Sequence, residues 1–356
     1  METPREATSY VRGRMGAVKR WQFWLGVAIS AYFLYSVFSK LSFAEFWLAV
    51  RQANYWWILP GVGVYFVGVW VRAWRWHYLL RPVKQIPTGT MFPIVTIGYM
   101  GNNIYPARAG ELLRAYVLKR REGVSISASL ATIIVERVYD GVVMLAFIFV
   151  NLSELSRLTG FAIPVGSLEL SIQTIALWGS LAFFGALLLF LLAAMFPAHT
   201  DRLLTRLAGR FVPERMRTRL LDLSRRFLGG LASLRSPQEA LMVFLTSVVI
   251  WLLETGKYWF VMHAFRFKLG FFPLMLMNGV VNLATTIPSA PGYWGTFDLP
   301  GIEVLKAYGV TPEIAAGYTL ALHIALLVPI TLLGAYYLWK EGLRWGEALQ
   351  KARVEG

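Results

Sequence analysis

The 356-residue chain contains no cysteine. A disulfide framework, a cysteine-ligated metal and a thiol nucleophile are therefore excluded. Histidine is scarce as well, with four residues at 77, 199, 263 and 323 and no HExxH or comparable ligand spacing, so no metal site is expected. No serine elbow, P-loop or dinucleotide fingerprint occurs, so the chain is expected not to be an enzyme or an ATP-driven pump and to need no cofactor. Charge is also sparse. Only 15% of residues are charged, and the acidic ones are the minority, with 20 Asp+Glu against 35 Lys+Arg and a net charge of +15. What fills the space is apolar: 56% of residues fall in that class. Such a chain cannot hide its apolar surface inside a water-soluble globule, which excludes a cytosolic enzyme, a secreted module and a disordered tail.

Apolar runs long enough to cross about 30 Å of hydrocarbon lie near 21–38, 55–73, 125–150, 172–196, 239–262 and 312–339. Two further stretches, 88–106 and 271–292, are broken by Gly, Asn and Pro, each ending in a Pro-x-x-x-Gly step, Pro106 to Gly110 and Pro288 to Gly292. Broken runs of this kind suit re-entrant or interrupted helices buried in protein. With both treated as re-entrant, 27 of the 35 basic residues fall on one side, in segments that include 72–84, 107–124 and 197–237. Six fall on the other side, and Arg137 and Lys257 remain inside spans. The positive-inside rule then puts both termini in the cytoplasm of a multi-pass inner-membrane protein. No basic soluble domain is left to bind nucleic acid.

The organisation expected is a basic cytoplasmic tail (1–20), a single membrane domain (21–340) and a second tail (341–356), with no cleaved leader. Within the domain, half 1 runs from about 21 to 150 and half 2 from about 172 to 340. The 197–237 loop carries Arg202, Arg206 and Arg210 at four-residue spacing beside Leu203, Leu204 and Leu207. That pattern suits an amphipathic helix on the inner leaflet or a solvated helical linker.

The chain also repeats itself at an offset of about 182–187 residues. Pro106–Gly110 falls on Pro288–Gly292, Arg72 and Arg75 on Glu254 and Lys257, Gly123-Val124 on Gly309-Val310, and Glu136 on His323. Each half reads as span, span, interrupted hairpin, span. Three spans is an odd number, so the second half enters the membrane upside down, as in many secondary transporters. The fold class expected is thus an all-α polytopic membrane protein, an inverted repeat with six full spans and two broken hairpins.

Three charges sit at the centre of one span: Glu136, Arg137 and Asp140. Each costs about 2.5–3.5 kcal/mol at mid-bilayer if uncompensated, so they must be paired and face protein or a wet cavity. Arg137 reaches Asp140 at i+3. Just past the first break, Arg108, Glu111 and Arg114 recur every three residues, a spacing that suits a phosphate cradle at a helix start. The second break offers Asn282 and Asp298 instead, without basic groups. Gating is expected from Asn102, Asn103, Pro106, Gly110, Asn282, Pro288, Gly292 and Asp298. Glu136, Asp140 and His323 are the candidates for proton coupling, and Glu254 and Lys257 form a further i,i+3 pair.

These residues resemble a known family, the membrane region of lysylphosphatidylglycerol synthases and its stand-alone relatives. The resemblance covers about 20–340 and rests on Arg75-Trp76, NNIYPARAGELLRAY (102–116), ERVYD (136–140) and PGYWGTFD (291–298). The family usually has a second glycine where Tyr293 stands and Glu where Asp298 stands. It implies a flippase-like fold and a lipid translocator without the soluble synthase domain. The partners it implies are anionic or zwitterionic phospholipids or a lipid-linked sugar. The alternative is a non-transporting scaffold for a lipid-synthesising enzyme. The oligomeric state is left open.

Overall fold

The computed structural model describes residues 24–39, 41–105, 108–151, 162–165, 168–171, 236–287 and 289–342, most of 195–224, and isolated positions at 181, 185, 188 and 192. Helix α1 (Trp24–Phe38) turns through 91° into α2 (Phe43–Arg51). A 3-10 turn (Tyr55–Trp57) leads into α3 (Ile58–Leu80), followed by α4 (Thr88–Ile104), α5 (Gly110–Glu122) and α6 (Ile126–Val150). A short antiparallel ribbon, β1 (Ala162–Val165) with β2 (Leu168–Ser171), is the one strand pair among the described residues. After α7 (Pro197–Phe211) come α8 (Pro237–Met262), α9 (Phe271–Ala284), α10 (Asp298–Ala307) and α11 (Pro312–Lys340).

Local chemistry sets these boundaries. Proline at the first turn of α8 and α11 lacks only an N–H that the helix would leave unpaired. Ser236 caps α8 by accepting from the Glu239 N–H. Gly123 ends α5 at a φ of 74°, and Gly309 stands at 82° between α10 and α11. Both take the left-handed conformation that glycine adopts without a Cβ penalty. The element order is therefore the same twice over: long helix, shorter apolar helix, break, short helix, left-handed glycine, long helix.

Among the described residues, three helices are long and apolar enough to cross a membrane: Tyr55–Leu80, Gln238–Met262 and Pro312–Lys340. The bent α1–α2 pair makes a fourth if it counts as one span. Helix α6 has the length, but it carries the three central charges. The expected span 172–196 lies almost wholly outside the described residues, as do the two tails, Pro106 and Pro288. One expectation is corrected: α3 runs on to Leu80, so Arg72 and Arg75 are helical, Arg75 buried and Arg72 partly so, rather than part of a 72–84 loop.

Two apolar cores form among the described residues, each drawing side chains from both halves. The first joins α3–α6 around Trp76, Met91 and Leu113, and takes in Ile330 and Leu338 from α11. The second joins α8–α11 around Tyr258, Leu274 and Tyr318. The halves are not separate bodies, because α3 packs along α8, α4 along α11 and α6 against α9. Exposed apolar residues on α11 (Ile324, Val328, Leu332, Tyr336, Trp339) recur at three- and four-residue steps. They form a single stripe suited to lipid. At one end of the bundle Lys84 pairs with Glu122, Arg121 with Glu341 and Arg81 with Glu239. At another contact region the Asn54 N–H donates to Ala264 O and the Ser42 N–H to Glu313. Segments sorted together by charge are thus neighbours in space.

Candidate functional site: a buried ion-pair network between the halves

The first break is shaped by glycine. A Cβ on Gly110 would lie 2.0 Å from Gly98 O and 2.4 Å from Asn102 N, so α5 starts in backbone contact with α4. That close crossing aims the first two turns of α5 at α6. Arg114 meets Glu136 there in a two-pronged bond of 2.8 and 2.9 Å. The guanidinium lies over the Trp76 ring, 3.5 Å from its centroid, and the Trp76 indole N–H donates to Thr132. Both charged partners are buried. Sequence spacing offered Arg114 as an open phosphate receiver; the structure places it in a closed pair, stacked on an aromatic face.

One turn along α6, Asp140 receives two arginines that the sequence reading had left out of the site. Arg75 donates to it at 2.5 and 3.3 Å, with Ser247 as a second acceptor, and Arg72 stands 3.9 Å away. The Trp251 indole N–H also donates to Asp140. Arg72 then reaches across to Glu254 at 2.9 Å, and Glu254 is shared with Lys257. The pair within α8 is therefore real, but it belongs to a larger network. The repeat alignment held the signal for this, because it laid Arg72 and Arg75 on Glu254 and Lys257. In the fold, Arg72 and its equivalent Glu254 touch.

Arg137 closes the network at its open end. It stands 3.8 Å from Asp140, as the i+3 spacing implies, but its nearer partner is Glu111 of α5, at 2.7 and 3.2 Å to one carboxylate oxygen. Glu111, Arg114, Glu136 and Arg137 line one narrow cleft with internal room of about 20 Å³, together with Arg72, Arg75, Tyr99, Asn102 and Gly110. The Nε groups of Arg72, Arg75 and Arg114, and the Asn102 side-chain oxygen, are buried with no hydrogen-bond partner among the described residues. Charged donors left this way are costly and favour any acceptor that reaches them.

The other candidates sit around this centre. Arg108 adopts a φ of 53° and donates to Thr285 O at 3.4 Å, linking the first break to the end of α9. Asn103 donates to Thr331 on α11 at 2.9 Å. Asn282 stays within its own helix, bonded to Asn278. At the second break Gly292 has a φ of 79° and Tyr293 one of 62°, a left-handed conformation that explains why a glycine suits the latter position. Asp298 accepts from the Gly295 N–H, and the His323 ring bridges the break, with Nδ1 2.9 Å from Asp298 and Nε2 2.7 Å from Gly292 O. The imidazole lies between Trp294 and Phe297. His323 and Asp298 therefore clamp the second break and stand apart from the cleft lining, whereas Glu136 and Asp140 belong to the network.

The model of the lysylphosphatidylglycerol synthase transmembrane region matches residues 23–334. The chain belongs to this family. Relatives are similar at low identity. The glycosyltransferase AglD of Haloferax volcanii is 24% identical over 298 residues, covering 78% of this chain and 47% of its own length. A UPF0104 membrane protein of Methanothermobacter thermautotrophicus is 23% identical over 75% of this chain and 78% of its own. Another, from Methanocaldococcus jannaschii, is 22% identical over 73% and 77%. The chain thus spans about half of AglD and most of the two UPF0104 proteins. The family match takes in every helix of the network, from α3 to α8.

Proposed function

We propose that this family member is a lipid translocator, not an enzyme. It moves the headgroup of an anionic or zwitterionic phospholipid, or of a lipid-linked sugar, between leaflets of the inner membrane. The observation that carries the reading is the network of five cations and four carboxylates where the two halves meet, buried except at its Arg137–Glu111 end. Buried charges at this density are expensive for a purely structural bundle, because well-packed apolar residues of similar volume would serve as well or better. A polar path for a charged headgroup gives them a use. The exposed apolar stripe on α11 and the charged cleft between α3, α4, α5 and α6 suit a cargo whose tails stay in the bilayer while its headgroup crosses.

The repeated element order supports an inverted repeat with six spans, in which the breaks at 105–109 and 285–297 gate from opposite sides. The clustering of Lys84, Arg121, Arg81 and their partners supports cytoplasmic termini. AglD is named a glycosyltransferase, and its likeness to this chain favours testing a lipid-linked sugar among the cargoes. The decisive experiment reconstitutes the chain with labelled lipids and follows leaflet exchange. Exchange should fall at least about tenfold in Arg137→Ala and Glu136→Gln and drop in Arg108→Ala. Wild-type rates in all three variants would remove the network from the path. A stable co-purifying enzyme with no exchange in isolation would instead mark a scaffold.

A further inference from the structure

Resting on that reading, we infer that Arg137 is the guanidinium that receives the headgroup phosphate, and that Glu111 is an internal anion which holds this position until a lipid phosphate replaces it. The arginines of the network differ in how firmly they are held. Arg114 is gripped by both oxygens of Glu136 and stacked on Trp76. Arg75 is 1% exposed and is bonded to Asp140 and Ser247. Arg72 is wedged between Asp140 and Glu254. None of these three can turn to a ligand without stranding a buried carboxylate.

Arg137 is different. Its side chain is 42% exposed, and its Nε and Nη2 converge on a single oxygen of Glu111, itself 25% exposed. A guanidinium presenting Nε and Nη2 together offers the fork that a phosphate oxygen pair accepts side by side. Glu111, in the first turn of α5, can swing into water at little cost, because its partner Arg137 is itself partly exposed. A phosphate ester taking its place brings one negative charge for the one removed, so the balance of the network is kept.

Two further observations point to an anion in this cleft. The network holds one more cation than carboxylate among the described residues, and Arg108 beside it is bonded to a neutral carbonyl. The Nε–H groups of Arg75 and Arg114, both more than nine-tenths buried, line the same cleft without a partner among the described residues. The unpartnered Asn102 oxygen in the same lining would take a hydroxyl or ammonium hydrogen of the headgroup.

The test uses the full chain in phosphatidylcholine nanodiscs, titrated with a short-chain fluorescent phosphatidylglycerol. Glu111→Gln and Glu111→Ala should each tighten binding about three- to fivefold, the scale of releasing a partly exposed ion pair. Arg137→Gln should weaken it more than about tenfold, and the Glu111→Gln/Arg137→Gln double variant should bind as weakly as Arg137→Gln alone. Unchanged or weaker binding in both Glu111 variants overturns the proposal. Competition by glycerol 3-phosphate as strong as that of the lipid would overturn the lipid assignment and mark a soluble phosphate ligand. Absent leaflet exchange with this binding order intact removes the transport reading and leaves the site standing.

Discussion

At the scale of single residues, the charges inside the bundle matter less for their number than for their partners. Glu136, Arg137 and Asp140 are consecutive enough in sequence to suggest a self-neutralising cluster, yet each has its nearest partner on another helix: Arg114, Glu111 and Arg75. Removing one partner of a buried pair strands the other, at a cost of about 3–5 kcal/mol. Arg114→Ala should therefore lower the melting temperature in detergent more than the partly exposed Glu111→Gln, whose effect should stay within about 1 kcal/mol. Thermal unfolding of both variants followed by tryptophan fluorescence checks this. The residue reading found the carboxylates of the cleft but missed Arg72 and Arg75, because charge counting near a span end treats every arginine as a loop residue. Only burial separates a topological arginine from a paired one.

At the scale of elements, the two breaks look alike in sequence and are held by different chemistry. The first relies on backbone contact. Gly110→Ala puts a methyl group 2.0 Å from Gly98 O, so α5 must shift and carry Glu111 and Arg114 with it. We expect a destabilisation of about 1–3 kcal/mol, as for overpacking, with loss of folded yield. Gly63→Ala, which meets nothing within 4 Å, should be neutral or slightly stabilising. The second break relies on the His323–Asp298 clamp. Asp298→Asn removes the charge opposite His323 but keeps a side chain of the same size, so it should loosen the turn at Gly292–Gly295. Faster hydrogen exchange confined to residues 289–298 is the expected readout. On α7, Leu203 and Leu207 are exposed beside Arg202 and Arg206, a pattern that suits either an inner-leaflet helix or a solvated linker. A peptide covering 197–211 should gain helicity with phosphatidylglycerol vesicles and not with phosphatidylcholine vesicles.

At the scale of the whole molecule, the two halves are joined by charge as well as by apolar contact. Arg72 and Glu254 occupy equivalent places in the repeat and bond to each other across the α3–α8 contact. Reversing this pair in the double variant should recover part of the stability lost in either single reversal, by about 1–2 kcal/mol in a double-mutant cycle. The absence of cysteine turns topology into a direct measurement. Single cysteines at Lys84 and Arg121 should react with an impermeant maleimide only from the cytoplasmic side, and cysteines at Asn54 and Arg266 only from the other. Labelling of all four from one side would refute the inverted arrangement.

By itself the sequence determined the solvent, the helical class, the family and the places where the chain must break. Those follow from composition, run length and the Pro/Gly steps, which are local properties of the chain. It also showed that Glu136, Arg137 and Asp140 needed partners, because their cost in hydrocarbon does not depend on the fold. Which partners they take was decided only in three dimensions. The close approach at Gly110, the extension of α3 to Leu80 and the packing of α3 on α8 bring together groups up to 182 residues apart. Pairing energy depends on distance and burial, and neither is written in spacing along one helix.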